Sequence, residues 1–548
     1  MKKRAPNYHL LFLSIALLAF IAIKFPLISN ASLDRNLIRA FDTDEYSAII
    51  TVEKSLNQNF RTDFYYYGNL YPLLTAVSLM PFKVTNTLDD QKIIIALRGL
   101  SLLFFVASVL LLFYFGQNFF GKTVGLIASV LLLLTTEANV YSTIAHADTL
   151  QIFLVIACLY YALMFVRYPQ DTATSKASLL SKSATLKNYL FSKPQRYLFI
   201  AAFIAGLSFS TKYIGVFILP TLALASALRY NFRISFWRNV FLDSLVIGLV
   251  FFIGFFVTSP YHIIYFDQFL QAVKIATFWI TKAFQYELSP NPFLWFPVFQ
   301  QKSLLGPVLF YISSACLIYY AITLYNKAIR DELKQFKDQG ILLLVFWIIS
   351  FFIYLFIRIR LREARYLLPL VPFIYIIFAY AITELLVNVN KRFVGYKRVS
   401  LCGVMLAIII STLFNLKGNF DRALYLHNDI LSRMKSTSIT AGLWLSENFS
   451  TDSSIYFDNY SYIPSSFKKI TPSYGMFEQQ KQQANPDVIV VNTSIYNRYD
   501  TIEKAEKYEE GAKRGMEIHN FYQNLFANKA EFVLARDFGD VQIFKKRN

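Results

Sequence analysis

The chain has little cysteine and no glycine-rich phosphate loop. Its 548 residues include three cysteines, Cys158, Cys316 and Cys402, and each lies inside an apolar run. Cysteines in such positions behave as small hydrophobic residues, so the sequence predicts neither a disulfide framework nor a cysteine metal site. No glycine-rich turn opens a helix in the polar C-terminal region, which argues against dinucleotide binding there. The sequence also shows no internal repeat.

Charged residues are scarce as well, at 16% of the chain, whereas 55% is hydrophobic and 17% is aromatic. The mean hydropathy is +0.40. Several apolar runs reach the roughly 20 residues that are needed to cross a bilayer. These features predict an α-helical polytopic integral membrane protein. Basic cytoplasmic loops explain most of the net charge of +19, so no nucleic-acid partner is indicated.

The apolar runs predict about eleven membrane-spanning helices, and at most thirteen. The N-terminal Met-Lys-Lys-Arg is placed on the cytoplasmic side, because every larger loop on that side is then basic. The polar region 416–548 then lies outside the cytoplasm. Its strand-like and helical segments predict a small soluble α/β domain after a membrane domain at 1–415. The predicted spans are 9–28, 93–115, 123–136, 149–167, 197–211, 213–229, 239–259, 304–325, 341–357, 366–387 and 400–415, and the predicted strands are Ser454–Phe457, Val488–Val491, Phe532–Leu534 and Val541–Phe544.

One run of arginines faces the side where basic loops are rare. Residues 358–365 read Arg-Ile-Arg-Leu-Arg-Glu-Ala-Arg between two apolar runs. Arginine suits bidentate contacts with phosphate, so the run indicates a site for an anionic group. Alternatively, some of these arginines only snorkel or pair with Glu363. The outer cationic set comprises Arg98, Lys212, Arg358, Arg360, Arg362 and Arg365.

Three carboxylates lie close together in the first outer loop, at Asp42, Asp44 and Glu45. Neighbouring carboxylates raise one another's pKa, and a raised pKa suits a proton acceptor. The alternative is a solvated turn with a capping aspartate before a helix at 45–56. The sequence leaves both interpretations open.

Other candidate residues lie on the same side. His146 and Asp148 end the second outer loop, and Asp148 is also a natural helix N-cap. Tyr67 and Tyr71 belong to an aromatic segment that either binds a sugar ring or lies in the interfacial aromatic belt. His262 begins the third outer loop, where it is either a substrate contact or a structural residue.

These features, in this order, resemble the GT-C glycosyltransferases, in particular family 39. That family includes dolichyl-phosphate-mannose protein mannosyltransferases and lipid A aminoarabinose transferases. The resemblance covers about residues 1–390. The motifs that carry it are Asp44-Glu45, Tyr-Gly-Asn-Leu-Tyr-Pro-Leu at 67–73, Leu-Arg-Gly-Leu-Ser at 97–101, Phe-Gly at 120–121, Ala-His-Ala-Asp at 145–148, Thr-Lys-Tyr-Ile-Gly at 211–215 and Ala-Arg-Tyr-Leu-Leu-Pro-Leu-Val-Pro at 364–372.

The resemblance implies a GT-C fold and a transferase that moves a sugar from a polyprenyl-phosphate donor to an acceptor hydroxyl on the extracytoplasmic face. The implied acceptor is a glycan, a lipid or a protein, and the expected membrane is a bacterial inner membrane. No cofactor is expected; Asp-Thr-Asp-Glu at 42–45 could hold a divalent metal ion, although the base role does not require one. Asp44 matches the position of the family's catalytic base. Asp42 is an additional carboxylate just before it, so the choice of base between the two stays open. The predicted catalytic residues are Asp42, Asp44, Glu45 and Asp148; the donor-phosphate residues are Arg98, Lys212, Arg358, Arg362 and Arg365; the substrate residues are Tyr67, Tyr71, His146 and His262.

Three other functions remain open from the sequence. A transporter or flippase for lipid-linked sugars would use outer cations too, but it would need ionisable groups at mid-membrane, and the apolar runs contain few. A sugar-chain polymerase or ligase would share the carboxylate and arginine chemistry. A non-catalytic scaffold would not require polar clusters on one face only.

Overall fold

The computed structural model describes residues 8–30, 34–62, 64–168, 192–232, 237–281, 291–301, 303–330, 335–392, 436–508, 512–527 and 531–547. A helical membrane region is followed by a small domain with a five-stranded sheet, which confirms the predicted fold class. The helices of the first region are α1 Tyr8–Asn30, α2 Arg35–Phe41, α3 Thr43–Asn57, α4 Leu70–Val84, α5 Asp90–Phe119, α6 Lys122–Leu134, α7 Thr136–Tyr141, α8 Asp148–Arg167, α9 Lys193–Phe209, α10 Ile218–Arg229, α11 Trp237–Thr258, α12 Pro260–Ile264, α13 Phe266–Thr281, α14 Trp295–Phe299, α15 Gly306–Ile329, α16 Phe336–Arg358 and α17 Val371–Arg392.

Six helices in the described part of the chain are long and apolar enough to cross a membrane: α1, α5, α8, α11, α15 and α16. Shorter apolar helices are α4, α6, α17 and the segment 213–229, which begins with a 3₁₀ turn at Tyr213–Phe217 and continues as α10. These helices other than α4, together with α9, coincide with the predicted spans from 9–28 to 366–387, whereas α4 lies in the predicted first outer loop. The predicted span 400–415 and the domain boundary at 415 lie outside the described residues, so that boundary stays a prediction.

The predicted first outer loop, 29–92, contains three helices, α2, α3 and α4. The aromatic segment that contains Tyr67 and Tyr71 runs directly into α4. Buried apolar residues of α2, α3, α4 and α5 form a second, smaller core with Ala145 and the first half of α8. This core holds the polar first turn of α3 against the end of α5.

The C-terminal domain contains α18 Thr437–Asn448, α19 Glu478–Ala484, α20 Thr493–Tyr496, α21 Ile502–Tyr508, α22 Ala512–Phe526 and five strands. The strands are β1 Ser454–Asp458, β2 Lys469–Ser473, β3 Val488–Asn492, β4 Phe532–Asp537 and β5 Val541–Lys546, in the sheet order β2-β1-β3-β5-β4. Strand β1 is parallel to β2 and β3, while β5 is antiparallel to β3 and β4. The four predicted strands are confirmed. Strand β2 was not predicted; it is an edge strand that contains Pro472, and proline is tolerated at such positions.

Successive residues of the sheet face opposite cores, as the strand period requires. Tyr456 and Ile489 pack with the α22 residue Tyr522 on one face, whereas Ile455 and Val488 pack on the other face. The small domain therefore has apolar cores on both sides of its sheet.

The C-terminal domain contacts α2 and the end of α13. Tyr462 donates a hydrogen bond from its hydroxyl to Asp34 at 2.9 Å, and the Arg39 guanidinium lies 5.5 Å from the centre of the Phe457 ring. Phe278 and Trp279 of α13 pack against the core beside α22. The domain thus lies on the same side of the membrane region as the loop that carries Asp42, Asp44 and Glu45.

Candidate active site

The first turn of α3 begins at Asp42, which is its N-cap. The Asp42 side chain accepts hydrogen bonds from the backbone N–H groups of Asp44, at 3.0 Å, and Glu45, at 2.9 Å. A carboxylate at this position satisfies free N–H groups and interacts favourably with the helix dipole. The capping interpretation of Asp42 is therefore confirmed, and the helix predicted at 45–56 spans Thr43–Asn57. The cap fixes the directions in which the next two carboxylates leave the backbone.

Glu45 points inward and forms a buried ion pair with Arg98 of α5. Arg98 Nε donates to Oε1 at 2.6 Å, and Nη2 donates to Oε2 at 2.9 Å. The backbone N–H of Ala145 donates to the same Oε1 at 2.9 Å. The side chains of Glu45 and Arg98 are only 6% and 7% exposed. This pair connects α3 and α5 with the loop that contains Ala145. Arg98 is bound to a carboxylate and is therefore not available to a donor phosphate.

Asp44 points to the arginine run. Its Oδ2 lies 3.0 Å from Arg365 Nη1, although the two residues are 321 positions apart in the chain. Arg365 stands in a 3₁₀ turn at Ala364–Leu367, and Glu363 is its second acidic partner. The Asp44 side chain is 37% exposed, compared with 13% for Arg365. The predicted base and a predicted phosphate-binding cation are thus in direct contact, and the carboxylate remains accessible.

His146 lies between two carboxylates. Its Nε2 is 3.2 Å from Asp42 Oδ2, and its Nδ1 is 3.6 Å from Asp148 Oδ2. Burial alone would lower the pKa of His146, but its hydrogen bonds with Asp148 and Asp42 and the nearby negative charges raise it to about 10. Burial would likewise raise the pKa of Asp42, yet the His146 contact lowers it to about 2. A charged imidazolium therefore connects the first and second outer loops at neutral pH.

Asp148 is the first residue of α8, and Ala147 occupies the N-cap position without a side-chain hydrogen bond. The N-cap interpretation of Asp148 is therefore wrong. Its carboxylate instead accepts a hydrogen bond at 2.6 Å from Lys212 Nζ, and both side chains are buried. Packing against the segment after α9 has overridden the local capping preference. The pair therefore places a lysine beside His146 and the two carboxylates that it contacts.

The Lys212 side of the site depends on a close backbone approach. Lys212 Nζ lies 5.9 Å from the centre of the Tyr67 ring. At the next residue, Gly68, an added Cβ would lie 2.1 Å from the carbonyl oxygen of Ser210, so a side chain there would force the two segments apart. A cavity of about 50 Å³ between these segments is lined by Asp44, Ser47, Ala48, Thr51, Phe64, Tyr67, Gly68, Tyr71, Pro72, Ala145, His146, Ala147, Thr211 and Lys212.

Four predicted site residues lie elsewhere or have structural partners. The buried Tyr71 hydroxyl donates to the Leu97 carbonyl at 2.7 Å. His262 Nε2 lies 3.0 Å from the Tyr213 hydroxyl. Arg358 is exposed at the end of α16, and Arg362 Nη2 donates to the Asn291 carbonyl at 2.8 Å. Tyr71 still lines the smaller cavity together with Asp44, but its hydroxyl is engaged by Leu97, and His262, Arg358 and Arg362 do not line that cavity.

Two features were missed from the sequence. Glu137 of α7 lies in the electrostatic field of Arg365 and Asp148, and burial raises its pKa to about 7. Its position at an outer helix end, like that of Asp148, was the available signal. The second feature is a cavity of about 410 Å³ between α2, α3 and the C-terminal domain, which no local pattern indicates. The described residues contain no group of three or more histidine, cysteine, aspartate or glutamate side chains arranged to hold a metal ion; independence of metal stays a prediction.

Solved structures share this architecture. The oligosaccharyltransferase AglB from Archaeoglobus fulgidus, in complex with an inhibitory peptide and a dolichol-phosphate, has 12% sequence identity over 93% of this chain and 72% of its own, with a TM-score of 0.55. ArnT from Cupriavidus metallidurans in the apo state has 13% identity over 98% and 97%, with a TM-score of 0.54. ArnT bound to undecaprenyl phosphate has 12% identity over 98% of both chains, with a TM-score of 0.53. At these identities the likeness shows the fold.

This fold, together with the family match that follows, is that of an integral membrane protein of the GT-C glycosyltransferase class, which confirms the GT-C resemblance found in the sequence. Residues 52–462 match the family model of the Alg9-like mannosyltransferase family. The chain therefore belongs to the Alg9-like mannosyltransferase family. A search of curated protein sequences gives no significant match.

Proposed function

We propose that this protein transfers a sugar, with inversion, from a polyprenyl-phosphate donor to an acceptor hydroxyl at the extracytoplasmic surface of a bacterial inner membrane. The observation that carries the proposal is the contact of Asp44 with Arg365 at 3.0 Å, beside the Lys212–Asp148 pair. A proton acceptor and cations for a phosphate leaving group are then within one cluster. The dolichol-phosphate and undecaprenyl phosphate of the similar structures support a lipid-phosphate donor.

In the proposed reaction, the Asp44 carboxylate accepts the proton of the acceptor hydroxyl. The acceptor oxygen attacks the anomeric carbon of the donor sugar from the face opposite the phosphate. A new carbon–oxygen bond forms while the bond from that carbon to the phosphate oxygen breaks. The electron pair leaves with polyprenyl phosphate, and the anomeric configuration is inverted.

Arg365 and Lys212 stabilise the negative charge that develops on the leaving phosphate. In the described structure each cation is held by a carboxylate, Arg365 by Asp44 and Lys212 by Asp148. A donor phosphate that binds Arg365 would compete with Asp44 for the guanidinium. Donor binding would then release Oδ2 of Asp44 to accept the proton, so the base becomes available only when the leaving group is in place.

The location of the cluster suits a lipid donor. Asp148 begins the membrane helix α8, and Arg98 lies in the outer part of α5. A sugar on a polyprenyl phosphate can reach this level while its lipid tail stays in the bilayer. The basic loops at the opposite helix ends support an extracytoplasmic location of the cluster.

The test is a steady-state assay of purified protein in detergent, with polyprenyl-phosphate sugars that differ in the sugar and with a panel of acceptors. We expect free polyprenyl phosphate and a glycosylated product, and we expect Asp44→Asn to lower turnover by roughly two to four orders of magnitude. A matched control is Asp89→Asn, because Asp89 is an exposed N-cap and asparagine also caps helices well. Wild-type turnover in Asp44→Asn would refute the assignment of Asp44 as the base. Absence of released polyprenyl phosphate with every donor would instead favour a transporter of lipid-linked sugars.

A further inference from the structure

The larger cavity lies on the other side of the first turn of α3 from the Lys212 pair. Its volume is about 410 Å³, within the roughly 300–1,000 Å³ that is usual for small-molecule sites. The membrane region and the C-terminal domain each supply part of its wall. The lining residues from the first are Arg39, Thr43, Tyr46 and Ser47, and those from the second are Asn459, Pro472, Ser473, Tyr474, Gly475, Phe477, Gln480 and Arg514.

The charge of this cavity is one-sided. Arg39 and Arg514 line it, and the described lining contains no aspartate or glutamate. Two arginines near Arg39 have carboxylate partners: Arg35 pairs with Glu53, and Arg98 pairs with Glu45. The cavity therefore presents positive charge to whatever enters it.

Arg39 is buried without a carboxylate partner among the described residues. It is 6% exposed, and its guanidinium carbon lies 3.9 Å from the centre of the Tyr46 ring and 5.5 Å from that of Phe457. Its Nε and Nη1 atoms have no hydrogen-bond partner in the described structure. The aromatic rings contact the face of the guanidinium and cannot satisfy the N–H groups at its edge.

Holding this charge without a carboxylate partner is costly, because burial, together with the nearby charge of Arg35, lowers the pKa of Arg39 to about 10. A domain contact alone would be served as well by an uncharged side chain between the two rings. A bound anion would accept hydrogen bonds from these N–H groups and would offset the free-energy cost of burying the charge. Tyr474 and Phe477 add aromatic faces to the same wall, and such faces suit a sugar ring.

We propose that this cavity binds the acceptor and that Arg39, together with Arg514, recognises an anionic group, a phosphate or a carboxylate, on an acidic glycan acceptor. The inference rests on the proposed glycosyl transfer. Thr43 and Ser47 line the cavity on either side of Asp44 in the sequence, and Ser47 lines the smaller cavity beside Lys212 as well. An acceptor held by its anionic group in the larger cavity can therefore extend a hydroxyl to Asp44, while the donor phosphate is on the Lys212 side.

The first experiment measures binding of three probes to the full-length protein in lipid nanodiscs by saturation-transfer NMR: glucose 1-phosphate, glucuronate and glucose. We expect the two anions to bind and neutral glucose to bind at least about tenfold more weakly. Arg39→Gln should weaken binding of the anions by about tenfold to a hundredfold, the range for a hydrogen bond to a charged group. Arg35→Gln, on the same helix, is the matched control and should bind like wild type. A preference for one anion identifies the phosphate or the carboxylate as the natural group.

Arg514→Gln is a second variant from the other wall of the cavity, and it should also weaken anion binding. Thermal melting of each variant checks that the domains remain folded. Equal binding of glucose and the two anions, or unchanged anion binding in both Arg39→Gln and Arg514→Gln, would overturn the proposal.

A kinetic arm separates this proposal from the glycosyl transfer on which it rests. Slow transfer of the donor sugar to water reports the donor half alone, and Arg39→Gln should leave that rate unchanged. If wild type turns over the donor but shows no Arg39-dependent anion binding, only the acceptor proposal fails. If the anions bind through Arg39 but no polyprenyl-phosphate sugar is turned over, the transferase proposal fails instead.

Discussion

The buried Glu45–Arg98 pair supports a sharp prediction, because its two side chains depend on each other. Arg98→Met would remove two hydrogen bonds, at 2.6 and 2.9 Å, from a carboxylate that is only 6% exposed. Among the described residues, the hydrogen bond that remains to this carboxylate is from the Ala145 N–H, at 2.9 Å. Removal of one partner of a buried ion pair costs about 3–5 kcal/mol, so Arg98→Met should be strongly destabilised.

The double variant Glu45→Gln/Arg98→Met tests the reason for that loss. It removes both charges, so no uncompensated carboxylate is left, and the Gln side-chain oxygen can still accept from Ala145. We expect it to be more stable than Arg98→Met alone, and the coupling energy, which is the loss in the double variant minus the losses in the two single variants, to be at least about 1 kcal/mol in magnitude, as is typical of residues in direct contact. Reversible unfolding in mixed detergent micelles provides the free energies for this double-mutant cycle.

The same cycle distinguishes a positioning role of Glu45 from a catalytic one. If Glu45 only positions the first turn of α3, Glu45→Gln should lower kcat by disturbing the geometry. The pH dependence of kcat/KM should then stay as in wild type. Additive free energies in the cycle would show that the pair does not hold α3 to α5. A shifted pH profile in Glu45→Gln would show that Glu45 itself exchanges the catalytic proton.

Three further predictions concern the surroundings of the pair. Gly68→Ala should lower kcat/KM by about a hundredfold, because its Cβ would lie 2.1 Å from the Ser210 carbonyl oxygen, whereas Gly99→Ala, whose Cβ meets nothing within 4 Å, should behave like wild type. The raised pKa of His146 means that its charge stabilises the fold fully below about pH 6.5 and less as pH rises to about 10, so the melting-temperature difference from His146→Gln should shrink over that range. Arg365→Ala should lose about 2–4 kcal/mol of transition-state stabilisation, measured from kcat/KM for the donor. Arg365→Lys should lose less, because it keeps a positive charge, but it should not reach wild type, because a point charge does not reproduce the bidentate guanidinium. Equal kinetics in wild type, Arg365→Ala and Arg365→Lys would count against phosphate binding.

The membrane helices could be predicted because their signal is local. An apolar run of about 20 residues is visible without knowledge of its neighbours, and each of the six long apolar helices in the described part of the chain coincides with a predicted span. The helix after Asp42 was predictable for the same reason, since a capping aspartate acts within its own turn. Strand β2 was not, because its pairing with β1 rather than its own composition makes it a strand.

The partners of the charged residues could not be predicted, because they depend on how distant segments pack. Arg98 and Arg365 look alike in the sequence as outer cations. The structure pairs the first with Glu45 inside a helical core and the second with Asp44 at an accessible surface. Within the arginine run, Arg358 ends a helix and is exposed, while the following turn directs Arg365 inward. A cluster of like residues in sequence therefore does not predict which member reaches a site.

The structure favours Asp44 over Asp42 as the proton acceptor for a reason that the sequence does not contain. Asp42 uses its oxygens to cap α3 and to contact His146, and the His146 contact lowers its pKa to about 2, so it is a weak base. Asp44 has one cationic partner, at 3.0 Å, and a side chain that is 37% exposed. Two neighbouring carboxylates that look equivalent in the chain thus have different roles available: Asp42 orients the turn, and the accessible Asp44 can meet an acceptor hydroxyl once a phosphate engages Arg365.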